Sequence, residues 1–397
     1  MKTSLERILT THCGSLARPK ALLDLMQAKY GGGAFDPAAF AVAVREAVKD
    51  VVARQVESGL DVVTDGEQGK VFFATYVRER LSGFEPAPPS DRGAPGGGRG
   101  QTREVQSFPE YYAWYSNFGS TRGNISGFNQ ALVCTGPVNY TGHEAVRADI
   151  QNLKDALAGQ RYADVFMPAT TPRSMGRNEH YRNEEEYLAA IADALREEYQ
   201  EIVGAGFVVQ VDDPGFVTQF GHAAGLSDEE RRKRAERDVE LVNYAIRGLP
   251  PEQVRFHTCY SINVGPRIYD APLEDVVELM LRINAGAYSF EAANPRHFHD
   301  WHVFENVTLP EGKVLIPGMI SHTTNIVEHP RFIADQLVNY AKLVGRENVI
   351  ASNDCGFSSG AMYQPEIHPT VAWEKFRALA EGARLASERL WAGLHPA

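Results

Sequence analysis

Apolar and polar residues recur along most of this chain with two periods, one typical of helices and one typical of strands. The segment DPAAFAVAVREAVKDVVARQVESG (36–59) begins with Asp36 as an N-cap and Pro37 at the first helical position, and it ends at Gly59. Its apolar positions share one helical face, and they are Phe40, Val44, Val48, Val51 and Val52. The pattern predicts an amphipathic helix.

Helical patterns of this kind return at 183–206 and after Ser227, where Ser227 and Glu230 have the spacing of a capping box. Short apolar runs typical of strands lie between them, at 7–14, 61–67, 164–170, 207–213, 254–260, 287–292, 313–320 and 348–354. Eight strands alternating with helices predict an α/β fold of the (β/α)8 TIM-barrel type. An open doubly wound sheet is disfavoured, since no strand is followed by a Gly-rich dinucleotide fingerprint or a Walker loop.

Residues 84–150 interrupt this rhythm. A Pro/Gly-rich stretch (84–101) is followed by the aromatic cluster FPEYYAWYSNF (108–118) and by a further strand pattern at 129–138. We therefore predict that residues 1–397 form one catalytic barrel domain, and that 84–150 is an insertion after the second barrel strand. The insertion is expected to form a lid near the barrel mouth, and an ordinary surface loop is the alternative.

Composition narrows the class of protein without indicating its chemistry. The chain has 397 residues, 43% of them hydrophobic, and a formal net charge of −11, which argues against nucleic acid or an anionic membrane surface as a partner. No apolar run approaches the roughly 20 residues of a membrane span, and the N-terminus lacks the apolar region of a signal peptide. Four dispersed cysteines fit a reducing compartment, so a cytoplasmic location is expected.

Ionisable and sulfur-bearing residues gather where the predicted strands end, which is the face where barrel enzymes carry their active sites. These strand-end segments are 11–15, 65–67, 212–214, 257–259, 291 and 354–356. His257 and Cys259 are two residues apart on one strand and so point to the same side. Glu291 and Cys355 follow later strands, and together the four residues make a plausible tetrahedral Zn²⁺ set in which Glu291 is the weakest ligand. Packing of buried free cysteines is the simpler alternative.

Several of these segments resemble motifs of the cobalamin-independent methionine synthase family and of the related epoxyalkane:coenzyme M transferases. THCGSLARP (11–19) looks like the opening T-H-x-G-S-x-P-R-P of that family, TDGEQ (64–68) like its D/H-G-E segment, and QVDDP (210–214) like its Q-I-D-E-P. GMISHTTNIVEHP (318–330) resembles the segment before its last strand. The resemblance covers most of the chain as the catalytic barrel, without the additional N-terminal barrel of full-length synthases.

The resemblance implies a zinc-dependent thiol methyltransferase, in which a zinc-bound thiolate of homocysteine or a similar small-molecule thiol attacks a methyl donor. His257, Cys259, Glu291 and Cys355 would bind Zn²⁺. Ser15 would contact the carboxylate of the amino acid, and Glu67 and Asp212 its ammonium group. His12 and Arg18 of the opening motif are further candidates for substrate binding.

Two departures from the family pattern affect the donor. The histidine near the seventh strand falls on Thr323, with His322 beside it as the catalytic candidate, although neighbours on a strand face opposite sides. The tryptophan that stacks on the folate has no counterpart in 169–181, so Trp114 of the insertion is the tryptophan expected to reach a substrate. Cys13 and Cys134 have no predicted role beyond burial.

Three functions stay open at this point. They are a methyltransferase using a folate, a simple donor or methylcobalamin on a corrinoid protein partner; an epoxide-opening alkyltransferase acting on a sulfonate-bearing thiol; and a non-catalytic zinc- or thiol-binding barrel. A homo-oligomer is equally open.

Overall fold

The structure is a computed structural model, and it describes residues 1–88, 102–119, 125, 127–128, 130–221, 225–260 and 264–392. Its strands are β1 (Leu9–Thr10), β2 (Val62–Val63), β3 (Phe84–Pro86), β4 (Leu132–Cys134), β5 (Asp164–Thr170), β6 (Arg177–Asn178), β7 (Val208–Asp212), β8 (Val254–Thr258), β9 (Ala287–Phe290), β10 (Val314–Ile320) and β11 (Ile350–Asn353).

Eleven α-helices are described, with short 3₁₀ helices at Tyr76–Glu79, Pro251–Gln253, Asp300–Glu305 and Arg346–Asn348. The α-helices are α1 (Lys20–Gly31), α2 (Pro37–Glu57), α3 (Arg103–Ser107), α4 (Pro109–Gly119), α5 (His143–Leu157), α6 (Glu184–Gly204), α7 (Pro214–Gly221), α8 (Asp228–Ala245), α9 (Leu273–Leu281), α10 (Pro330–Val344) and α11 (Pro369–Leu390). In the part of the chain that the structure describes, none of these helices combines the length and apolar content that a bilayer crossing requires.

Eight parallel strands form the central sheet in the order β1-β11-β10-β9-β8-β7-β5-β2. The two end strands meet through hydrogen bonds: the Asp61 N–H donates to Thr10 O at 3.0 Å, and the Thr11 hydroxyl donates to Val62 O at 3.2 Å. Each of the eight strands lies within the segment predicted for it. The predicted (β/α)8 barrel is therefore confirmed.

Local capping explains where the outer helices begin. Asp36 accepts hydrogen bonds from the N–H groups of Ala38 and Ala39, directly before α2. The predicted Ser227–Glu230 capping box is present at the start of α8. Both helix starts are confirmed, since short polar side chains satisfy N–H groups that a first helical turn leaves unpaired.

The segment after β2 adds a second, smaller sheet. β3 pairs antiparallel with β4, and β4 pairs in parallel with β6, which lies between β5 and α6 and was not predicted. Gly176 permits this pairing, because a Cβ there would lie 2.3 Å from Leu132 O. Since β6 follows the carboxyl end of β5, the small sheet is attached at that end of the barrel. The Pro/Gly-rich residues 89–101 lie outside the described residues.

Helices α3 and α4 contact the segment that follows β8. Tyr111 donates its hydroxyl hydrogen to Val264 O at 2.9 Å, and the hydroxyl groups of Ser107 and Tyr269 are 2.8 Å apart. The Arg103 guanidinium lies 4.4 Å from the centre of the Tyr269 ring. The aromatic cluster therefore packs near the end of the strand that carries His257.

Candidate metal centre and substrate pocket

Three of the predicted metal ligands meet at the carboxyl ends of β8 and β11. His257 lies in β8, Cys259 directly follows that strand, and Cys355 lies two residues after β11. Their ligand atoms all lie within 4.8 Å of one another, all three residues are buried, and the two sulfur atoms are 3.1 Å apart. We call His257, Cys259 and Cys355 the ligand cluster.

The chemistry of the ligand cluster fits a divalent cation. A hydrogen bond with Cys355 and burial raise the pKa of Cys259, so its thiol is protonated in the absence of a nearby cation. Burial lowers the pKa of His257 to about 3, so its imidazole is neutral and has a lone pair available for a metal. Two sulfurs and one imidazole nitrogen are the ligands that Zn²⁺ prefers.

Cys13 is a further thiol at this centre, and the sequence did not assign it a role. Its Sγ lies 3.3 Å from Nδ1 of His257, and the hydroxyl of Ser289 lies 3.2 Å from the same nitrogen. Asn353 links the Cys13 and Cys355 segments, because its Oδ1 accepts a hydrogen bond from Cys13 N and its Nδ2 donates one to Cys355 O. The position of Cys13 after the first strand was the available signal. The other unassigned cysteine, Cys134, is buried in β4 of the small sheet.

Glu291, the fourth predicted ligand, lies beside the ligand cluster and contacts other partners. Its Oε2 accepts hydrogen bonds from Arg267 Nη2 and from Asn294 Nδ2, and its Oε1 lies 3.6 Å from His322 Nε2. The negative charge of Glu291 contributes to the raised pKa of Cys259, which places it near the sulfurs. The structure thus brings three predicted ligands together and leaves Glu291 next to them.

His322 does reach this region, for a reason that strand alternation does not capture. β10 ends at Ile320, so Ser321 and His322 belong to the following segment and not to the strand. That segment is fixed by Glu328, which accepts from Ser321 N and forms an ion pair at 2.8 Å with Lys375 of α11. The fully buried Lys375 therefore orients the turn that brings His322 beside Glu291.

Glu67 and Asp212 form a second acidic group at the ends of β2 and β7, which we call the carboxylate pocket. Glu67 Oε2 is buried and has no hydrogen-bond partner among the described residues, while Asp212 Oδ1 accepts from Gln210 Nε2 at 2.7 Å. Burial raises the pKa of both carboxyl groups, and the charge of Glu67 raises that of Asp212 further. Such a pocket favours a cationic ligand.

The backbone at Glu67 is held in an unusual conformation. Its φ is +55°, a left-handed conformation that side chains other than glycine rarely adopt. Arg18 fixes this turn, because its guanidinium donates to the carbonyl oxygens of Glu67, Lys70 and Ser358 at 2.7–2.8 Å. Gly14 leaves room for the carboxylate, since a Cβ there would lie 2.9 Å from Glu67 Oε1. Arg18 therefore supports the pocket through backbone contacts.

The other predicted substrate residues differ in where they lie. Ser15 is buried against Gly356, where a Cβ would come within 1.9 Å of its hydroxyl, so it borders the Cys355 turn. The His12 ring is not brought to the site: Nε2 lies 2.8 Å from Gln55 Oε1, and Nδ1 accepts from Gly14 N. Trp114, on α4, is 62% exposed.

The sequence of this chain is similar to those of known proteins. Residues 132–366 match the family model described as cobalamin-independent synthase, catalytic domain. A methionine synthase of Sulfolobus acidocaldarius is 23% identical over 382 residues, covering 96% of this chain and 93% of the relative. One from Saccharolobus islandicus (strain Y.N.15.51 / Yellowstone #2) is 24% identical over 388 residues, covering 96% and 95%.

Two solved structures share the fold. A B12-independent methionine synthase from Shewanella sp. W3-18-1, in complex with selenomethionine, has a TM-score of 0.70 at 20% identity, covering 97% of this chain and 99% of that one. A putative vitamin-B12-independent methionine synthase from Listeria monocytogenes has a TM-score of 0.64 at 19% identity, covering 95% and 98%. At these identities the likeness establishes a common barrel fold.

Proposed function

The chain belongs to the family of cobalamin-independent synthases, as its motifs predicted, and from this membership we propose that it is a zinc-dependent thiol S-methyltransferase. Its acceptor is homocysteine or a similar amino-acid thiol, and a small-molecule methyl donor supplies the transferred group. The observation that carries the proposal is the convergence of His257, Cys259 and Cys355 at one buried point of the barrel mouth.

The ligand cluster supplies three protein ligands, and Glu291 beside it is the candidate for a weaker fourth ligand that an incoming thiol would displace. Bound there, Zn²⁺ would lower the pKa of a substrate thiol and hold it as a thiolate at neutral pH. His257 offers a neutral imidazole, and Ser289 orients that ring through the contact with Nδ1. His322 and Glu291 border the same space and are the candidates for accepting or donating a proton there.

The carboxylate pocket supports an acceptor that carries an ammonium group. Glu67 Oε2 has no hydrogen-bond partner among the described residues, and Asp212 lies close enough for the charge of Glu67 to raise the pKa of Asp212. A protonated amine would satisfy this oxygen with a charge-assisted hydrogen bond. A sulfonate-bearing thiol would instead meet two buried carboxylates, which disfavours the epoxide-opening alternative. Ser15, next to Cys355, is the candidate for binding the acid group of the amino acid.

The proposal also covers the domain organisation, the insertion and the cellular location. We place residues 1–397 in one catalytic domain and assign 84–150 as a lid, supported by the contact of Tyr111 with Val264 beyond β8. Trp114 on this lid is the candidate for contacting the methyl donor. All four cysteines are free, and such thiols are maintained in a reducing cytoplasm, where we propose that the enzyme acts.

The experiment is an activity panel on zinc-loaded protein. Homocysteine and coenzyme M are each combined with a methylated folate, methylcobalamin and a short epoxide, and thioether products are quantified. Methyl transfer to homocysteine supports the proposal and identifies the donor. Alkylation of coenzyme M by the epoxide, without methyl transfer to homocysteine, contradicts it.

Cys355→Ala tests the metal centre directly. Removing one of three protein ligands should weaken zinc binding by more than about 100-fold, since changes behind the ligands alone cost 10- to 100-fold. Zinc affinity is measured by competition with a chromophoric chelator, and Cys134→Ala serves as the control thiol, because Cys134 lies in the small sheet. Full activity in a metal-free Cys355→Ala protein is incompatible with the proposed function.

A further inference from the structure

Arg255 places a positive charge inside the barrel, beneath the ligand cluster. It belongs to β8, it is fully buried, and it precedes His257 by two residues on that strand. Both side chains therefore point to the same side of the sheet, and their positions are separated by roughly 7 Å along the strand. At that separation the charge of Arg255 acts on the proposed metal centre, because water does not screen it in the barrel interior.

Uncharged groups hold this guanidinium in place. Its Nη1 donates to Thr11 Oγ1 at 3.1 Å, and its Nη2 donates to His12 O at 2.9 Å. The guanidinium lies 3.9 Å from the centre of the Phe166 ring. Its Nε is buried and has no hydrogen-bond partner among the described residues, and within them no carboxylate forms an ion pair with Arg255. The positive charge is therefore not neutralised by a direct partner in that part of the chain.

Arg255 is also connected to the site through the segment that follows the first strand. His12 O accepts from Arg255, and the next residue, Cys13, has its Sγ 3.3 Å from Nδ1 of His257. Gln210 lies opposite Arg255 in the pairing of β7 with β8, and its Nε2 donates to Cys13 O at 2.6 Å. Arg255 and Gln210 together support the first strand end from below, so the guanidinium has a fixed position relative to the ligand cluster.

A buried cation is costly in free energy unless negative charge lies nearby. The proposed reaction creates such a charge at the barrel mouth. The two cysteine thiolates of the ligand cluster would neutralise Zn²⁺, so the loss of a proton from an incoming thiol adds one net negative charge there. An arginine keeps its charge at every pH at which the protein is folded, so Arg255 supplies a permanent charge of the opposite sign.

Resting on the proposed function, we propose that Arg255 is a positioning residue whose permanent charge stabilises the acceptor as a thiolate at the ligand cluster. The neutral thiol gains nothing from this attraction, so Arg255 selectively favours the deprotonated acceptor. Because the guanidinium acts from beneath the site, it leaves the mouth free for the acceptor and the methyl donor.

Arg255→Met and Arg255→Gln test this role in protein loaded with Co²⁺, whose bond to a thiolate gives a visible charge-transfer band. The increase in that band on adding L-homocysteine is recorded over about pH 6–9. In both variants the midpoint of the increase should rise by about one pH unit, which corresponds to about tenfold less thiolate at a fixed pH below the midpoint. Arg231→Met is the matched control, since that buried guanidinium pairs with Asp228 on the outer helix α8.

The two variants distinguish charge from hydrogen bonding. Glutamine can still donate to His12 O but carries no charge, so a structural role predicts that Arg255→Gln keeps the wild-type midpoint while Arg255→Met does not. That result overturns the proposal, and so does a midpoint within about 0.3 pH units of wild type in both variants. Arg255→Gln alone decides the question if Arg255→Met does not fold, because its midpoint either rises or stays.

One further variant separates this proposal from the proposed function. If L-homocysteine produces no increase in the band in wild type, or the same increase in Cys259→Ala, the ligand cluster does not bind the acceptor thiol, and both proposals fail. If the increase appears in wild type and is lost in Cys259→Ala, while Arg255→Gln titrates like wild type, the proposed function stands and the role of Arg255 alone is overturned.

Discussion

Two buried acidic groups border the barrel mouth, and they differ in how their charge is balanced. In the segments that follow β8 and β9, Glu291, Asp270 and Asp300 share the cations Arg267 and His297 through direct hydrogen bonds. In the carboxylate pocket, neither carboxylate has a direct ion pair, and Glu67 Oε2 has no hydrogen-bond partner within the described residues. The nearby Lys70 ammonium instead donates to Pro168 O and lies 4.2 Å from the Tyr76 ring centre.

The difference indicates that the charges of the first group have partners within the protein, whereas the carboxylate pocket is available to bind a charged ligand. Buried carboxylates cost free energy unless they are paired, so an unpaired one persists where a bound cation repays it. In the balanced group the two cations therefore hold the carboxylates in place, and the unbalanced group is suited to binding a substrate ammonium. Two substitutions test this distinction, and a third tests the insertion near the mouth.

Glu67→Gln should have the largest effect. The variant keeps the shape of the side chain and removes the charge, so KM for homocysteine should rise about 100-fold, the scale of losing one partner of a buried charged pair. Steady-state kinetics measure it, with coenzyme M as a thiol that lacks an ammonium group and Glu85→Gln as an exposed control. An equal loss for both thiols would mean that the carboxylate pocket does not recognise an amine.

His297 tests the balanced group through pH. Burial opposes its charge, but hydrogen bonds to Asp270 and Asp300 outweigh burial and raise its pKa to about 9. Its contribution to stability is complete below pH ~6.5 and is lost as pH rises through 9, roughly 3 kcal/mol in all. Urea unfolding of zinc-loaded protein at pH 6.5 and 9.5 should show this loss in wild type and not in His297→Gln.

The control for that measurement is His302→Gln, because His302 is exposed and pairs with Glu305 at the surface. It should leave the pH dependence of unfolding unchanged. An identical pH dependence in wild type and His297→Gln would show that a charged His297 does not balance the carboxylates of this group.

Trp114→Ala should have the smallest effect. Helices α3 and α4 contact the segment that carries Arg267, so if they belong to the proposed lid, loss of the exposed indole should raise KM for the methyl donor about threefold at constant kcat. Tyr162→Ala is the control, an exposed aromatic just before β5, at the end of the barrel opposite the mouth. An unchanged KM for the methyl donor would indicate that residues 84–150 form an ordinary surface loop.

Periodicity and capping were sufficient to predict the barrel. All eight strands lie within their predicted segments, and the helix starts at Asp36 and Ser227 are as expected, because both signals act within a few residues. β6 escaped prediction because two residues have no readable period, and their pairing with β4 is decided by a distant segment.

The candidate site could be predicted only in part. Placing His257, Cys259 and Cys355 at strand ends followed from the parallel barrel, in which all carboxyl ends meet at one face. Its electrostatics could not be predicted: nothing local to Glu291 indicates that Arg267, far along the chain, binds its carboxylate. His12 illustrates the reverse, a motif histidine whose partners proved to be Gln55 and Gly14.

The amino-acid sequence by itself determined the class of fold, the family and the residue types gathered at the mouth, because periodicity, caps and short motifs are properties of neighbouring residues. Only the tertiary structure decided which of those residues touch: it brought Cys13 against His257, paired Glu291 with Arg267 and left Oε2 of Glu67 without a hydrogen-bond partner among the described residues. Hydrogen bonds and desolvation depend on distances of a few ångströms between residues far apart in the chain, and those distances exist only once the barrel has closed.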